Sequence, residues 1–366
     1  MRTSCVISNI YAFVFFVFFI SCNSDDEYQP TPDPVSPVTV DLSQVPYPKL
    51  SDYHFFEGEM KEMSPSLDVE PYLPVSELFT DYALKKRFLW MPKNTTATYN
   101  SGQKILEFPV GTVLIKSFYY NNLQPNNDTK IMETRLMIRK QSGWIFAEYV
   151  WNEAQDEATL KMDGDFKPIE WQKPSGEIIP INYRIPSETE CLICHKSNDA
   201  PVPIGLKPQN LNFNYNYTSG AQNQLEYFKQ KGYLDPSTPT PSISASAVNY
   251  KDATQPIDLR LRSYLDINCA HCHQTDSHCD YRPIRLAFSE TGANDNLGIC
   301  VPPDQFINSN LTNIITPRNR QRSMMYFRIN STDESNRMPL LGRSIIHQEG
   351  VQLLEDYINS LNNTCN

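Results

Sequence analysis

The sequence predicts a multidomain β plus α chain, an N-terminal antiparallel β sandwich or barrel followed by a mainly α-helical region. Three observations carry this. Short runs that alternate apolar and polar side chains recur from about residue 70 to 183, broken by Pro, Gly and Asn. Apolar residues at helical spacing then appear twice, as Leu259, Leu261, Tyr264, Leu265 and Ile267, and as Val351, Leu354, Tyr357, Ile358 and Leu361. Between these regimes runs a Pro/Ser/Thr-rich connector. With 366 residues and 40% hydrophobic content, the chain has material for two or three modest cores.

Taken in order, residues 1–21 read as a signal peptide: Arg2 precedes an apolar run from Val6 to Ile20, too short to span a bilayer comfortably. The run ends in Phe19-Ile20-Ser21-Cys22, which resembles a bacterial lipobox and makes Cys22 the expected lipidated N-terminus. The acidic Asn23-Ser24-Asp25-Asp26-Glu27 resembles the tag that sends some Gram-negative lipoproteins to the outer leaflet of the outer membrane. Residues 22–48, with Pro30, Pro32, Pro34 and Pro37, form an extended tether.

The β domain covers 49–183. Its strands are expected at 87–91, 105–108, 113–119, 132–138, 144–150 and 178–183. A first cofactor segment follows over 184–234. There Ser187-Glu188-Thr189-Glu190 is a capping box that opens a helix, and a second helix covers Gln222 to Lys231. Residues 235–255 are the connector, read as a hinge or surface crossing, and 256–366 complete the helical region.

Two five-residue stretches carry the chemistry: Cys191-Leu192-Ile193-Cys194-His195 and Cys269-Ala270-His271-Cys272-His273. With 9 Cys and 6 His in the chain, chance would give about 0.004 such patterns, so two are not accidental. Two thiols at this spacing can add to the two vinyl groups of a porphyrin, and the adjacent imidazole can ligate its iron. Two haem c groups are therefore expected, held by Cys191, Cys194, Cys269 and Cys272, with His195 and His273 as proximal ligands. Two Cys-x-x-Cys pairs can also make one zinc site, but here each is followed by His.

For the second haem, Met338 lies 65 residues beyond His273 and shortly before the closing helix, the order seen in small class I cytochromes c, and is the expected sixth ligand. Residues 256–366 are accordingly read as a cytochrome c-like haem domain. No methionine lies between His195 and Met324, so the first haem takes its sixth ligand from Met324, Met325, His278 or the β domain, or is five-coordinate. His271 reads as a helix-surface residue. Of the cysteines left over, Cys279 and Cys300 are the preferred disulfide in an oxidising compartment, which leaves Cys365 alone.

Tyr72–Arg87, Val110–Lys116, Glu133-Thr-Arg135 and the Gly143–Asn152 segment are similar to a family of exported bacterial diheme c-type cytochromes, mostly uncharacterised. Glu190–His195, Asp266–His273 and Arg337–Gly342 fit the same family in the same order. The resemblance spans about residue 45 to the end, and implies a β domain fused to a haem-bearing half without implying a reaction.

Function is expected to be electron transfer at the cell envelope by a lipid-anchored diheme protein. One alternative is a diheme, peroxidase-like oxidoreductase with an open first haem, and another is a haem-containing ligand-binding or sensing protein. The net charge is −10, and −11 once residues 1–21 with their single Arg2 are removed, which argues against nucleic acid and favours a basic redox partner.

Overall fold

Alternation of side chains builds one large antiparallel sheet. Its strands are β1 (Val69–Pro71), β2 (Leu84–Trp90), β3 (Val113–Leu123), β4 (Asp128–Lys140), β5 (Gly143–Trp151), β6 (Ala158–Leu160), β7 (Asp165–Gln172) and β8 (Ile178–Ile185). The protein is described by a computed structural model, which covers residues 33–100, 104–362 and 364–365. Met1–Val35 and Ser36–Asn366 fall into two units, and everything below belongs to the second. Strand order is β8-β7-β3-β4-β5-β6, with β2 pairing the start of β3 on the same edge as β7, and β1 beside β2.

Register explains why these strands read as nearly continuous apolar runs. Phe88, Ile115, Leu136 and Ala147 stand opposite one another on one face, and Leu89, Leu114, Met137 and Phe146 on the other. Both faces are buried. The first is covered by the segment from Val45 to Met63, where Tyr53 stacks on Phe55 and receives the Tyr149 hydroxyl at 3.0 Å. The second is covered by Leu206, Leu211, Leu225 and Phe228. Pro168 sits in β7, where pairing beyond β8 is confined to one contact with Leu123, so the missing N–H breaks no ladder.

The expected sandwich or barrel is not what forms. Among the described residues the large sheet does not close, and its partners are three two-stranded ribbons, loops and helices rather than a second broad sheet. Residues 105–108 form no strand beyond a single bridge between Thr98 and Glu107, while β7 and β6 add to the expected set.

Seven α-helices follow among the described residues: α1 (Glu188–Cys194), α2 (Pro208–Leu211), α3 (Gln224–Gln230), α4 (Ile257–Asn268), α5 (Asn294–Leu297), α6 (Met324–Ile329) and α7 (Gln348–Ser360). The Ser187 capping box is formed, with Glu190 accepting from the Ser187 amide at 3.0 Å. α4 and α7 pack on each other through Leu261, Tyr264, Leu265, Val351, Leu354 and Ile358.

A mainly α-helical cytochrome c-like region is nevertheless not present. α4 to α7 cover only about a third of 256–366. Pro283, Pro302, Pro303 and Pro317 interrupt the rest, which is held by turns and by isolated bridges such as Ile299 to Ile315.

Other expectations change with packing. Residues 38–48 are not free tether: Thr39 N–H donates to Tyr53 O at 3.1 Å, and Val45 and Tyr47 are buried. The connector is no loose hinge either, since Ser246, Ala247 and Tyr250 are buried and Ser76 bonds both Val248 O (2.7 Å) and Tyr250 N–H (3.1 Å). The disulfide joins Cys300 to Cys365, not to Cys279. Packing of α7 carries the C-terminus back to Cys300, aided by Arg318 N–H to Ile358 O (2.9 Å) and Arg318 Nε to Leu361 O (3.1 Å). Cys279 is instead buried with a free thiol.

Asp81 fastens the sheet to the C-terminal loop. Its carboxylate accepts from the Ser344 amide, the Ser344 hydroxyl and the Ile345 amide at 2.7–3.1 Å, while its carbonyl accepts from buried Tyr120. Asp81→Asn keeps a residue that tolerates the left-handed φ of 44° but turns amide hydrogens toward those donors. A stability loss of ~1–3 kcal/mol in urea unfolding is expected; an unchanged midpoint would show that the loop is held elsewhere.

Candidate functional site

Both cysteine–histidine motifs lie at helix ends. Cys191 and Cys194 ride on α1, whose last turn is closed by His195 N–H to Cys191 O at 2.9 Å. Cys269 caps α4, and the chain turns tightly through Cys272 N–H and His273 N–H to Cys269 O at 3.1 and 3.0 Å. The α4 end is itself fixed by Asn268, which accepts from Phe79 N–H at 2.8 Å and donates to Tyr264 O at 3.0 Å.

Each motif opens on its own cleft. The first lies between Cys191, Cys194 and His195 and the sheet face carrying Leu114, Met137 and Phe146. The second sets Cys269, Cys272 and His273 against Met324, Met325 and Met338. Met338 is positioned by its amide on Arg328 O (3.0 Å) and by buried Arg343, which donates to Met338 O (3.0 Å) and Ser331 O (2.8 Å).

The chemistry of both sets suits an iron porphyrin. His195 Nδ1 sits 2.9 Å from Val202 O, which places the ring proton there and leaves Nε2 with its lone pair. His273 Nδ1 is buried without a hydrogen-bond partner among the described residues. Burial holds both imidazoles down to about 4, so both rings are neutral at neutral pH. Burial also pushes the Cys191 thiol up to about 11 and Cys269 up to about 12.

Sequence reasoning missed what tertiary packing supplies. Met324 and Met325, offered as ligands for the first motif, line the second cleft, and His278 is exposed and lines neither. Two other methionines, Met137 on β4 and Met162 after β6, line the first cleft from the β region, the Met162 sulfur accepting from Glu148 N–H at 3.4 Å. Residues so far upstream of the motif carry no spacing signal. His271 is not on the surface but buried.

The two motifs also meet. Cys194 from one and His271 and Cys272 from the other place their ligand atoms within 4.8 Å of one another. The Cys272 thiol donates to Ile193 O at 3.4 Å, and the nearness of Cys272 and His271 holds Cys194 well below the usual thiol range while Cys194 drives Cys272 up. Cys194, Asn268, His271, Pro339 and Leu341 line both clefts, so one wall serves the two.

Compared with protein-family models, curated proteins and solved structures, the chain matches none. No helix among the described residues is long and apolar enough to cross a membrane. Residues 1–21 and Cys22 lie outside the described residues.

The histidines give a pH signature. His195, His273 and His347 are each held at about 4 chiefly by burial, against ~6.5 in an unfolded chain. The unfolded state therefore binds more protons between these values, so their contribution is complete above ~6.5 and lost as pH falls toward 4. The cofactor-free protein should melt progressively lower from pH 7 to 4.5 by circular dichroism; a flat profile would mean the rings are solvated.

Proposed function

We propose that this protein is an exported diheme c-type cytochrome that passes single electrons at the cell envelope. The observation that carries the proposal is the meeting of two complete Cys-x-x-Cys-His sets, each in its own cleft and sharing one wall. Haem supplies a one-electron couple when bound, its potential set by ligands, hydrogen bonds and burial. Cys191 and Cys194 would hold one group with His195 as axial ligand, and Cys269 and Cys272 the other with His273.

The rest of the chain prepares these residues. Val202 O fixes the His195 tautomer, and Arg343 presents the Met338 segment across the second cleft from His273. The shared wall brings Cys194 and Cys272 within a few ångströms, so the residues that would hold the two groups are neighbours and no diffusing carrier would be needed between them. A metal ion on Cys194, His271 and Cys272 alone would leave His195, His273 and both clefts without a role.

A second reading, a diheme oxidoreductase that works at the first cleft, draws support from the ionisable lining of that cleft: Arg87, Lys116, Arg135 and Glu148. Carbon monoxide separates the two. With haem counted per chain, two haems and a reduced spectrum unaltered by carbon monoxide are expected of a carrier. One carbon monoxide-binding haem would favour the enzyme, and absence of haem would end both readings. In the oxidised spectrum of the same preparation Met338→Ala should lose the sulfur-to-iron charge-transfer band; its retention would rule out Met338 as a ligand.

Attachment to the outer membrane through lipidated Cys22 belongs to the same proposal and rests on the sequence around that residue. Cys22→Ser should move the protein from the membrane to the soluble fraction of cells, and an unchanged distribution would refute the anchor.

A further inference from the structure

The sheet floor of the first cleft changes character from one row to the next. Beside the apolar row of Leu89, Leu114, Met137 and Phe146 stands a row of Arg87, Lys116, Arg135 and Glu148, directly opposite one another across β2 to β5. Three cations in a line across a sheet repel, and burial multiplies the cost. Arg135 is compensated by ion pairs with Glu133 and, at 3.2 Å, Glu148. Arg87 has only a long ion pair, and Lys116 has none among the described residues.

The Arg87 side chain is 4% exposed, and its nearest carboxylate, Glu77, is 3.9 Å away. One terminal nitrogen of Arg87 is buried with no hydrogen-bond partner among the described residues. The Lys116 ammonium lies 4.7 Å from the Phe118 ring centroid, and among the described residues it has no hydrogen bond or ion pair. Burial first, then Arg87, Lys85 and Arg135, drive that amine far below its ordinary range. Both side chains line the same cleft as Cys191, Cys194 and His195.

We propose that Arg87 and Lys116 form a carboxylate-binding site within the first cleft. A planar carboxylate can take paired N–H donors from the guanidinium and a third hydrogen bond from the Lys116 amine, and its charge would draw that amine back toward its ordinary range. The carboxylate comes either from the propionates of a porphyrin attached at Cys191 and Cys194 or from a small soluble acid. The site itself stands on the strand register; only the porphyrin source rests on the two-haem reading.

The test uses the exported, cofactor-loaded chain with haem counted per chain, as wild type and as Lys116→Met, Arg87→Gln and the charge-preserving Lys116→Arg, each checked for folding by circular dichroism. Two readouts are taken: the propionate-bending bands in the resonance Raman spectrum, and the melting temperature in sodium acetate against sodium chloride at equal ionic strength. Bands that move in Lys116→Met and Arg87→Gln but not in Lys116→Arg, with no acetate effect, place porphyrin propionates in the site. Unmoved bands with a melting temperature raised by acetate in wild type, and not in the two neutral variants, place a soluble carboxylate there. Unmoved bands and no acetate effect overturn the proposal. If Arg87→Gln does not fold, Lys116→Met carries the comparison. A chain without haem would defeat the two-haem reading, while the acetate measurement would still decide the site.

Discussion

Much of the arrangement hangs on one buried carboxylate. Asp266 is 3% exposed on the last turn of α4, and it accepts from Lys207 Nζ at 2.8 Å, Asn210 Nδ2 at 3.0 Å and Phe288 N–H at 2.9 Å. Burial alone would push its carboxyl up, but Lys207 and these donors hold it below the ordinary range. A buried ion held by three donors is costly to disturb, ~3–5 kcal/mol when one partner is removed. Two stretches of chain, 207–210 and the one at Phe288, are thereby fixed to the helix end that presents Cys269, Cys272 and His273.

Asn268 extends the same logic to the β region. By accepting the Phe79 amide it joins α4 to the segment before β2, while Asp81 joins that segment to the loop that follows Met338. The sheet is therefore part of the frame of both clefts, and its inner face floors the first. Burial of both sheet faces makes this possible, because a sheet with one wet face could not be roofed by α1 and the 202–211 stretch.

The two clefts differ in kind. The second is closed by Met324, Met325, Ile329 and Met338 and is almost wholly apolar, whereas the first shares its apolar half with a row of ionisable groups. Groups held in such unequal surroundings would differ in potential, since burial and nearby charge are the protein's main means of tuning a cofactor. The common wall through Cys194 and Cys272 would put that difference across a few ångströms.

The sequence by itself determined the local features. The motif cysteines and histidines, the Ser187 capping box, helices α3, α4 and α7 and most strands of the sheet were legible because each depends on spacing within a few turns or a few alternations. Tertiary structure decided the rest. Closure of the sheet, the helix content of 256–366, the pairing of Cys300 with Cys365 and the burial of His271 depend on which distant segments compete for the same surface. The same holds for Met137 and Met162 at the first cleft and for the Arg87–Lys116–Arg135–Glu148 row, which exists only once four strands are in register. Periodicity encodes which side of an element is buried; it does not encode what arrives to bury it.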